Sequence, residues 1–183
     1  MTKSSPARAA SSANTNMLSA VSSIRRIVRV LRLASQHTQT VAGISAAQLF
    51  VLQQLGDGSA RSLNELAERT LTDRSSVAAV VERLQAQRLV DRTADPADRR
   101  RAAIRITAAG RRILQRAPDA PTTTLLGALR RLSPGELNAL AHSLNRLTLA
   151  LGAAHEPPSM LFAEEVHPRS RGSRAKKSRK RAT

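Results

Sequence analysis

The amino-acid sequence predicts a mainly α-helical fold that carries one small β-hairpin. Three observations predict it. A Ser followed three residues later by Glu or Gln begins three apolar periodic runs, at Ser45, Ser62 and Ser133, as at capped helix starts. Two short alternating runs, residues 88–93 and 101–107, have the period of strands and flank a turn. Aliphatic stripes at helical spacing lie near both ends, over residues 18–34 and 133–151.

Composition limits the class of protein. The 183 residues suit one domain with tails. The 30 Lys and Arg against 13 Asp and Glu favour a polyanionic partner, nucleic acid first and an anionic membrane surface second. The absence of Cys excludes disulfides, thiolate metal ligands and thiol redox sensing. No run approaches the roughly 20 apolar residues of a membrane span, so we expect a cytoplasmic protein with no membrane partner.

Both ends differ in composition from the centre. Residues 1–16 are rich in Ser, Ala and Asn, lack the apolar stretch of a signal peptide, and are predicted to be disordered. Residues 153–183 are predicted to form a disordered basic tail. Such a tail favours modest, nonspecific help in DNA binding through phosphate neutralisation, or else only keeps the protein soluble. The folded domain is predicted over residues 17–152.

The first stripe predicts a helix over residues 17–38. Its apolar positions are Leu18, Val21, Ile24, Val28 and Leu31, and arginines fall between them. A helix this apolar needs a partner. Gly43 is a plausible stop before the helix that begins at Ser45.

Residues 62–107 predict the order of a winged helix-turn-helix. A short helix, "SLNELAERT", precedes a second one that Thr72 or Asp73 can cap. The inward face of this second helix is predicted to be Val77, Val80, Val81 and Leu84. The two alternating strands follow as the wing. In such a motif the second helix lies in the DNA major groove and the first supports it.

At this point the sequence resembles the MarR family of transcriptional regulators. The resemblance is carried by residues 63–114, and within them by "DPADRRRAAIRITAAG", which resembles the wing signature of the family at Asp98, Arg100, Ile106, Thr107 and Gly110. It extends over about residues 20–150. It implies a DNA-binding core over about residues 45–107 and dimerisation helices over about 17–38 and 108–151. It also implies a homodimer on double-stranded DNA at a palindromic promoter site.

One feature departs from the family. Pro118 and Pro121 lie where many members have a continuous long helix between wing and dimer region. Because proline breaks or kinks a helix, we expect two pieces here.

The second helix carries candidate DNA contacts. Arg74, Ser75 and Ser76 lie in its first turn, where Arg can pair with a guanine edge and Ser with a base or phosphate. Either serine is equally suited to capping the helix. Ala79 is small enough to contact a thymine methyl group. Arg83 resembles a family position near the DNA backbone, but it can equally pair with a carboxylate beside Glu82 within the helix.

The wing tip carries the second group of candidates. Asp95 and Pro96 favour a turn, and Arg99, Arg100 and Arg101 make its end strongly positive. The resemblance implies that Arg100 enters the minor groove, where Arg gains from the negative potential. It also implies that Asp98 orients this Arg. A solvated surface hairpin is the alternative.

The sequence gives little indication of metal binding or catalysis. His37, His142, His155 and His167 are scattered without ligand spacing, so no metal or other cofactor is predicted. No Ser, His and Asp pattern indicates an enzyme. His37 lies near the position of the family's effector pocket, although a solvent-exposed or helix-end His is the stronger interpretation.

The predicted function is a sequence-specific DNA-binding regulator. By resemblance it is a repressor that a small-molecule effector releases from DNA. The main alternative is a nonspecific architectural DNA-binding protein that binds through charge. A protein–protein module built on the same fold is a further alternative.

Overall fold

The computed structural model describes residues 6–56, 58, 60, 62–94 and 102–163, with side chains from residue 11 onward except at 94 and 102. The helices before the sheet are α1 Pro6–Ala42, α2 Ala46–Gly56, α3 Leu63–Thr70 and α4 Arg74–Ala86. The strands are β1 Val90–Ala94 and β2 Ala102–Ile106. The chain continues through α5 Ala108–Arg116, α6 Pro121–Leu129 and α7 Pro134–Ala150. This mainly helical fold with one small sheet confirms the predicted fold class.

Helix α1 starts earlier than predicted. It begins at Pro6, so the prediction of disorder over residues 1–16 is wrong from that residue onward. Proline suits the first position of a helix and the following residues are rich in Ala, the best helix former, which the composition argument did not weigh. The helix ends at Ala42, and Gly43 takes a left-handed φ of 70° there, as predicted for a stop.

The three predicted helix starts are confirmed. Ser45 Oγ accepts from the Gln48 N–H at 3.2 Å, while Gln48 Oε1 accepts from the Ser45 N–H at 3.0 Å. Ser133 and Glu136 form the same reciprocal pair at the start of α7. Ser62 Oγ accepts from the Glu65 N–H at 3.1 Å at the start of α3. Each pair satisfies backbone groups that have no partner within the helix.

Helix α2 is the centre of the core. Leu49, Val51 and Leu52 are fully buried, and Phe50 is almost so. A helix that is apolar all round in this way must be surrounded by other elements. The side chains packed around it come from α3, α4 and the sheet, namely Leu66, Val77, Val80, Val81, Leu84, Val90 and Ile104.

The two strands form an antiparallel hairpin in which Val90 pairs with Ile106 and Ala94 with Ala102. Ala60 adds a short bridge to Ile104, with N–H to carbonyl distances of 3.1 and 2.7 Å. This bridge holds the base of the hairpin to the loop before α3. The tip of the wing lies outside the described residues, and with it the predicted contacts Asp98, Arg99, Arg100 and Arg101.

The predicted break after the wing is present between α5 and α6. Gln53 of α2 bridges the interruption: its Oε1 accepts from the Ala120 N–H at 3.3 Å and from the Thr123 hydroxyl at 2.7 Å. Its Nε2 donates to the Pro118 carbonyl at 3.4 Å. The side-chain amide of Gln53 therefore provides hydrogen-bond partners for backbone groups between α5 and α6, which have none within a helix.

Two helices keep apolar side chains in solvent. Along α1, Ile27 is 52% and Val30 60% exposed. Helix α7 has no buried residue, and Leu144 is 49% exposed. Among the described residues, no helix is both long and apolar enough to cross a membrane.

Candidate nucleic-acid interface

The turn between α3 and α4 is closed by hydrogen bonds to the end of α3. Leu71 adopts left-handed dihedrals, φ 55° and ψ 38°. The Thr72 N–H then donates to the Ala67 carbonyl at 3.1 Å, and the Thr70 hydroxyl donates to the Leu66 carbonyl at 2.8 Å. The Thr72 bond satisfies one of the last four carbonyls of α3, and together the two bonds fix the direction in which α4 leaves.

Asp73 caps α4. Its Oδ1 accepts from the Ser76 N–H at 2.9 Å, whereas the Thr72 hydroxyl lies 2.8 Å from the hydroxyl of Thr70. The sequence left Thr72 and Asp73 open as caps, and the geometry selects Asp73. Because Asp73 holds the cap position, neither Ser75 nor Ser76 is needed for it, and the capping interpretation of the two serines is wrong.

Helix α4 has one buried and one accessible side. Val77, Val80, Val81 and Leu84 face the core, as predicted. The accessible side carries all five candidate contacts of this helix: Arg74, Ser75, Ala79 and Arg83 are exposed, and Ser76 is partly buried. We call Ser76, Ala79 and Arg83 the reading face, since residues three and four apart share one side of a helix.

Among the described residues, Arg83 does not form the predicted intrahelical ion pair but contacts the chain after α7. Its Nη1 donates to the carbonyl oxygen of Ala163 at 2.7 Å. Within the part of the chain that the structure describes, no ion pair joins it to a carboxylate beside Glu82. The guanidinium of Arg83 is therefore engaged by the chain after α7.

That chain segment is the main difference from the predicted organisation. Residues 153–163 were assigned to the disordered tail, yet residues 157–163, here called the cover segment, lie against α4. Met160 is only 5% exposed and joins the hydrophobic core. The sequence signal was the apolar triplet Met160, Leu161 and Phe162, which is too short for a periodicity argument.

The wing is joined to α5 through Thr107. Its hydroxyl accepts from the Gly110 N–H at 3.1 Å and donates to the Arg88 carbonyl at 2.9 Å, while its N–H donates to the Leu89 carbonyl at 3.0 Å. Gly110 lies directly over Leu89 and Ile106. The Ile-Thr and Gly positions of the wing signature therefore orient the hairpin on the domain.

A cavity of about 400 Å³ lies between the end of α1 and the winged domain. Its lining residues are Gln39, Gly43, Ile44, Ser45, Gln48, Arg83 and Gln87. Two of these lining residues are bonded to each other: Gln48 Nε2 donates to Gln87 Oε1 at 3.2 Å. The volume is in the range of small-molecule sites.

The histidines stay scattered in the structure. His37, His142 and His155 are exposed, and His167 lies outside the described residues. His37 is within α1, which continues to Ala42, so the helix-end interpretation is wrong and the solvent-exposed one is confirmed. No group of three or more His, Asp or Glu side chains that can hold a metal occurs in the ranges described.

Fold and site together define a winged helix-turn-helix protein. The MarR family model matches residues 42–101, which span α2 to the wing. Helix-turn-helix transcriptional repressor NicR of Pseudomonas putida is 33% identical over 96 residues, which are 52% of this chain and 58% of that relative. The match thus spans little more than half of the length of this curated relative. The part of the chain from α2 to the wing, residues 42–101, is thus similar to the MarR family.

Solved structures agree on the fold. Sco3205, a MarR-family transcriptional regulator from Streptomyces coelicolor solved in complex with DNA, matches with a TM-score of 0.54 at 22% identity. The match covers 78% of this chain and 95% of Sco3205. A MepR-like protein complexed with pseudoligands matches with a TM-score of 0.50 at 23% identity, over 75% of this chain and 96% of its own. At these identities the likeness concerns the fold.

Proposed function

We propose that this protein is a dimeric, sequence-specific DNA-binding regulator that represses transcription and is released from DNA by a small molecule. The observation that carries the proposal is α4. It is capped by Asp73, anchored by four buried aliphatic side chains, and presents arginine, serine and alanine side chains on its accessible side. This is the arrangement with which a recognition helix enters the major groove.

Each accessible side chain of α4 has a chemically defined role in the proposal. Arg74 is exposed in the first turn and can donate two hydrogen bonds to a guanine edge. Ser75 and Ser76 form hydrogen bonds with a base or a phosphate, and Ala79 contacts a thymine methyl group. Arg83, in the last turn, neutralises a phosphate.

The wing contributes through its tip. The described strands end at Ala94 and begin again at Ala102, and Thr107 fixes the hairpin to the domain. We propose that Arg100 enters the flanking minor groove and that Asp98 orients it, with Arg99 and Arg101 adding charge. The roles of Arg100 and Asp98 follow from the family resemblance, and the net charge of +17 supports the polyanionic partner.

We propose that a second copy of the chain packs against the exposed apolar side chains of α1 and α7. A helix such as α7, with no buried residue, gains little from intrahelical bonds alone and needs tertiary packing. Contiguous apolar surface of this kind marks a protein–protein interface. Pairing these helices places two copies of α4 on one palindromic site. A charge in the stripe, as in Leu144→Asp, is expected to convert the dimer to monomer in analytical ultracentrifugation, whereas His142→Asp is not.

The effector is proposed to bind the cavity of about 400 Å³ between α1, α2 and α4. The resemblance implies a small aromatic or phenolic molecule at the junction of dimer region and winged domain. Any release must come from a difference in the ligand's affinity for the DNA-bound and free conformations. Gln87→Ala is expected to weaken the response to an effector while leaving DNA affinity unchanged.

The test is a gel-shift titration at physiological salt on the duplex upstream of the protein's own gene, beside a scrambled duplex of equal length. If that region holds no site, selection from random duplexes supplies one. Arg74→Ala and Arg100→Ala are expected to weaken binding about tenfold or more, as for loss of a base or minor-groove contact. Arg130→Ala, the same charge change outside the helix-turn-helix and wing, is the control. Equal binding to all duplexes would instead favour the architectural alternative.

A further inference from the structure

We propose that the cover segment, residues 157–163, inhibits DNA binding in cis by occupying the reading face of α4. The inference rests on the proposed function, because it concerns access to the helix that reads DNA. It gives the chain after α7 a regulatory role in place of the passive tail that composition suggests.

The first contact lies at the start of α4. The Asp73 N–H donates to the Pro158 carbonyl at 3.2 Å, and the Met160 N–H donates to Ser76 Oγ at 3.1 Å. The Ser76 hydroxyl oxygen therefore already accepts a hydrogen bond from the cover segment. A helix start that meets a phosphate or base edge must have these same groups free.

The second contact lies in the last turn of α4, where Arg83 Nη1 donates to the Ala163 carbonyl at 2.7 Å. The cover segment thus follows α4 along its length, from its first turn to its last. Ala79 lies between the two contacts and lines the same groove of about 480 Å³ as Ser76, Arg83, Met160 and Phe162.

The width of the major groove means that α4 cannot enter it while the cover segment is docked on the helix. A helix with its side chains is about 10–12 Å across, and the major groove is about 12 Å wide. No width remains for a second stretch of chain on the reading face. DNA and the cover segment therefore compete for Ser76 and Arg83, and the segment must leave before α4 enters the groove.

The contacts of the cover segment with α4 are few, which suits a docked state that can be reversed. Met160 is the apolar anchor at 5% exposure, whereas its neighbour Leu161 is 41% exposed. Three hydrogen bonds and one buried side chain make a docked state that DNA can displace. If the segment is docked in about 90% of free molecules, it raises the apparent Kd for DNA about tenfold.

The test compares full-length Met160→Ser with wild type and with Leu161→Ser, the same kind of change on the exposed neighbour. The duplex is the one that wild type binds in the gel-shift titration. Met160→Ser is expected to bind about tenfold more tightly, and Leu161→Ser within about twofold of wild type. Circular dichroism melts verify that Met160→Ser is folded at the assay temperature.

Hydrogen exchange of the Met160 amide gives an independent readout in the wild-type chain. Saturating DNA is expected to speed exchange at Met160 while amides of α2 keep their protection. Unchanged or slower exchange at Met160 in the DNA complex would overturn the inference.

The two proposals fail differently. If wild type binds its duplex and folded Met160→Ser binds equally well, the cover segment does not inhibit and the regulator function stands. If neither wild type nor Met160→Ser binds any duplex, the proposed function fails and the inference fails with it.

Discussion

A Cβ atom added at Gly110 would lie 2.4 Å from the carbonyl oxygen of Leu89 and 2.7 Å from Ile106 Cγ1. The first turn of α5 therefore sits directly on the strand ends of the wing. The Leu89 carbonyl also accepts from the Thr107 N–H at 3.0 Å, so it is held in place and cannot move aside freely.

Gly110→Ala is accordingly expected to lower the free energy of unfolding by about 2–3 kcal/mol, because overpacking against backbone is not relieved by a rotamer change. Urea denaturation measures it. Gly127→Ala in α6 is the matched control: nothing lies within 4 Å of its added Cβ, and helix propensity predicts a gain of up to about 1 kcal/mol. Equal effects of the two substitutions would contradict the close-packing argument.

Leu71→Gly is expected to stabilise the fold by roughly 1 kcal/mol, since Leu71 is 67% exposed and holds a left-handed φ of 55° that costs a residue with a Cβ about that much. The measurement is the midpoint of thermal unfolding. Leu18→Gly, an equally exposed leucine within α1, is expected to destabilise instead, because Gly is a poor helix former. A loss of stability in Leu71→Gly would show that the Leu71 side chain contributes more than its backbone costs.

Thr38→Val is expected to raise stability by about 1 kcal/mol. Within the described residues, the Thr38 hydroxyl is buried and has no hydrogen-bond partner. Val has nearly the same shape and removes the unpaired group. Thr40→Val provides the comparison, because Thr40 is exposed and its hydroxyl donates to the Gln36 carbonyl at 2.9 Å. Chemical denaturation of both variants decides the point: a clear loss in Thr38→Val would mean that the hydroxyl has a partner in solution.

The start of α7 is expected to be sensitive to acid. Hydrogen bonds from the Ser133 hydroxyl and backbone N–H lower the pKa of Glu136 from its ordinary 4.5. Because the folded pKa is the lower one, these bonds stabilise the fold fully above pH 4.5, and the stabilisation is lost as pH falls through the folded pKa.

Ser133→Ala is expected to return the pKa of Glu136 toward 4.5 in an NMR titration. It should also destabilise the protein more at pH 7 than at pH 3. If the pKa of Glu136 is the same in Ser133→Ala as in wild type, the Ser133 hydroxyl does not lower it.

Much of the fold follows from short-range patterns. The capped starts of α2, α3 and α7 and the buried side of α4 were predictable because each depends on residues within a turn or two of helix. The wing strands and the break at Pro118 were predictable for the same reason. The early start of α1 was missed because composition was weighed against helix formation, although Pro6 and the alanines after it favour a helix locally.

The amino-acid sequence by itself determined the element order, the serine-capped starts of α2, α3 and α7, the buried side of α4 and the resemblance to the MarR family. Tertiary structure decided that Gln53 bridges the proline break and that the Met160 N–H bonds to Ser76 Oγ. The physical reason is separation along the chain. A capping pair or an apolar period involves neighbours, whereas Met160 and Ser76 are 84 residues apart, and only packing of the whole chain brings them within 3.1 Å.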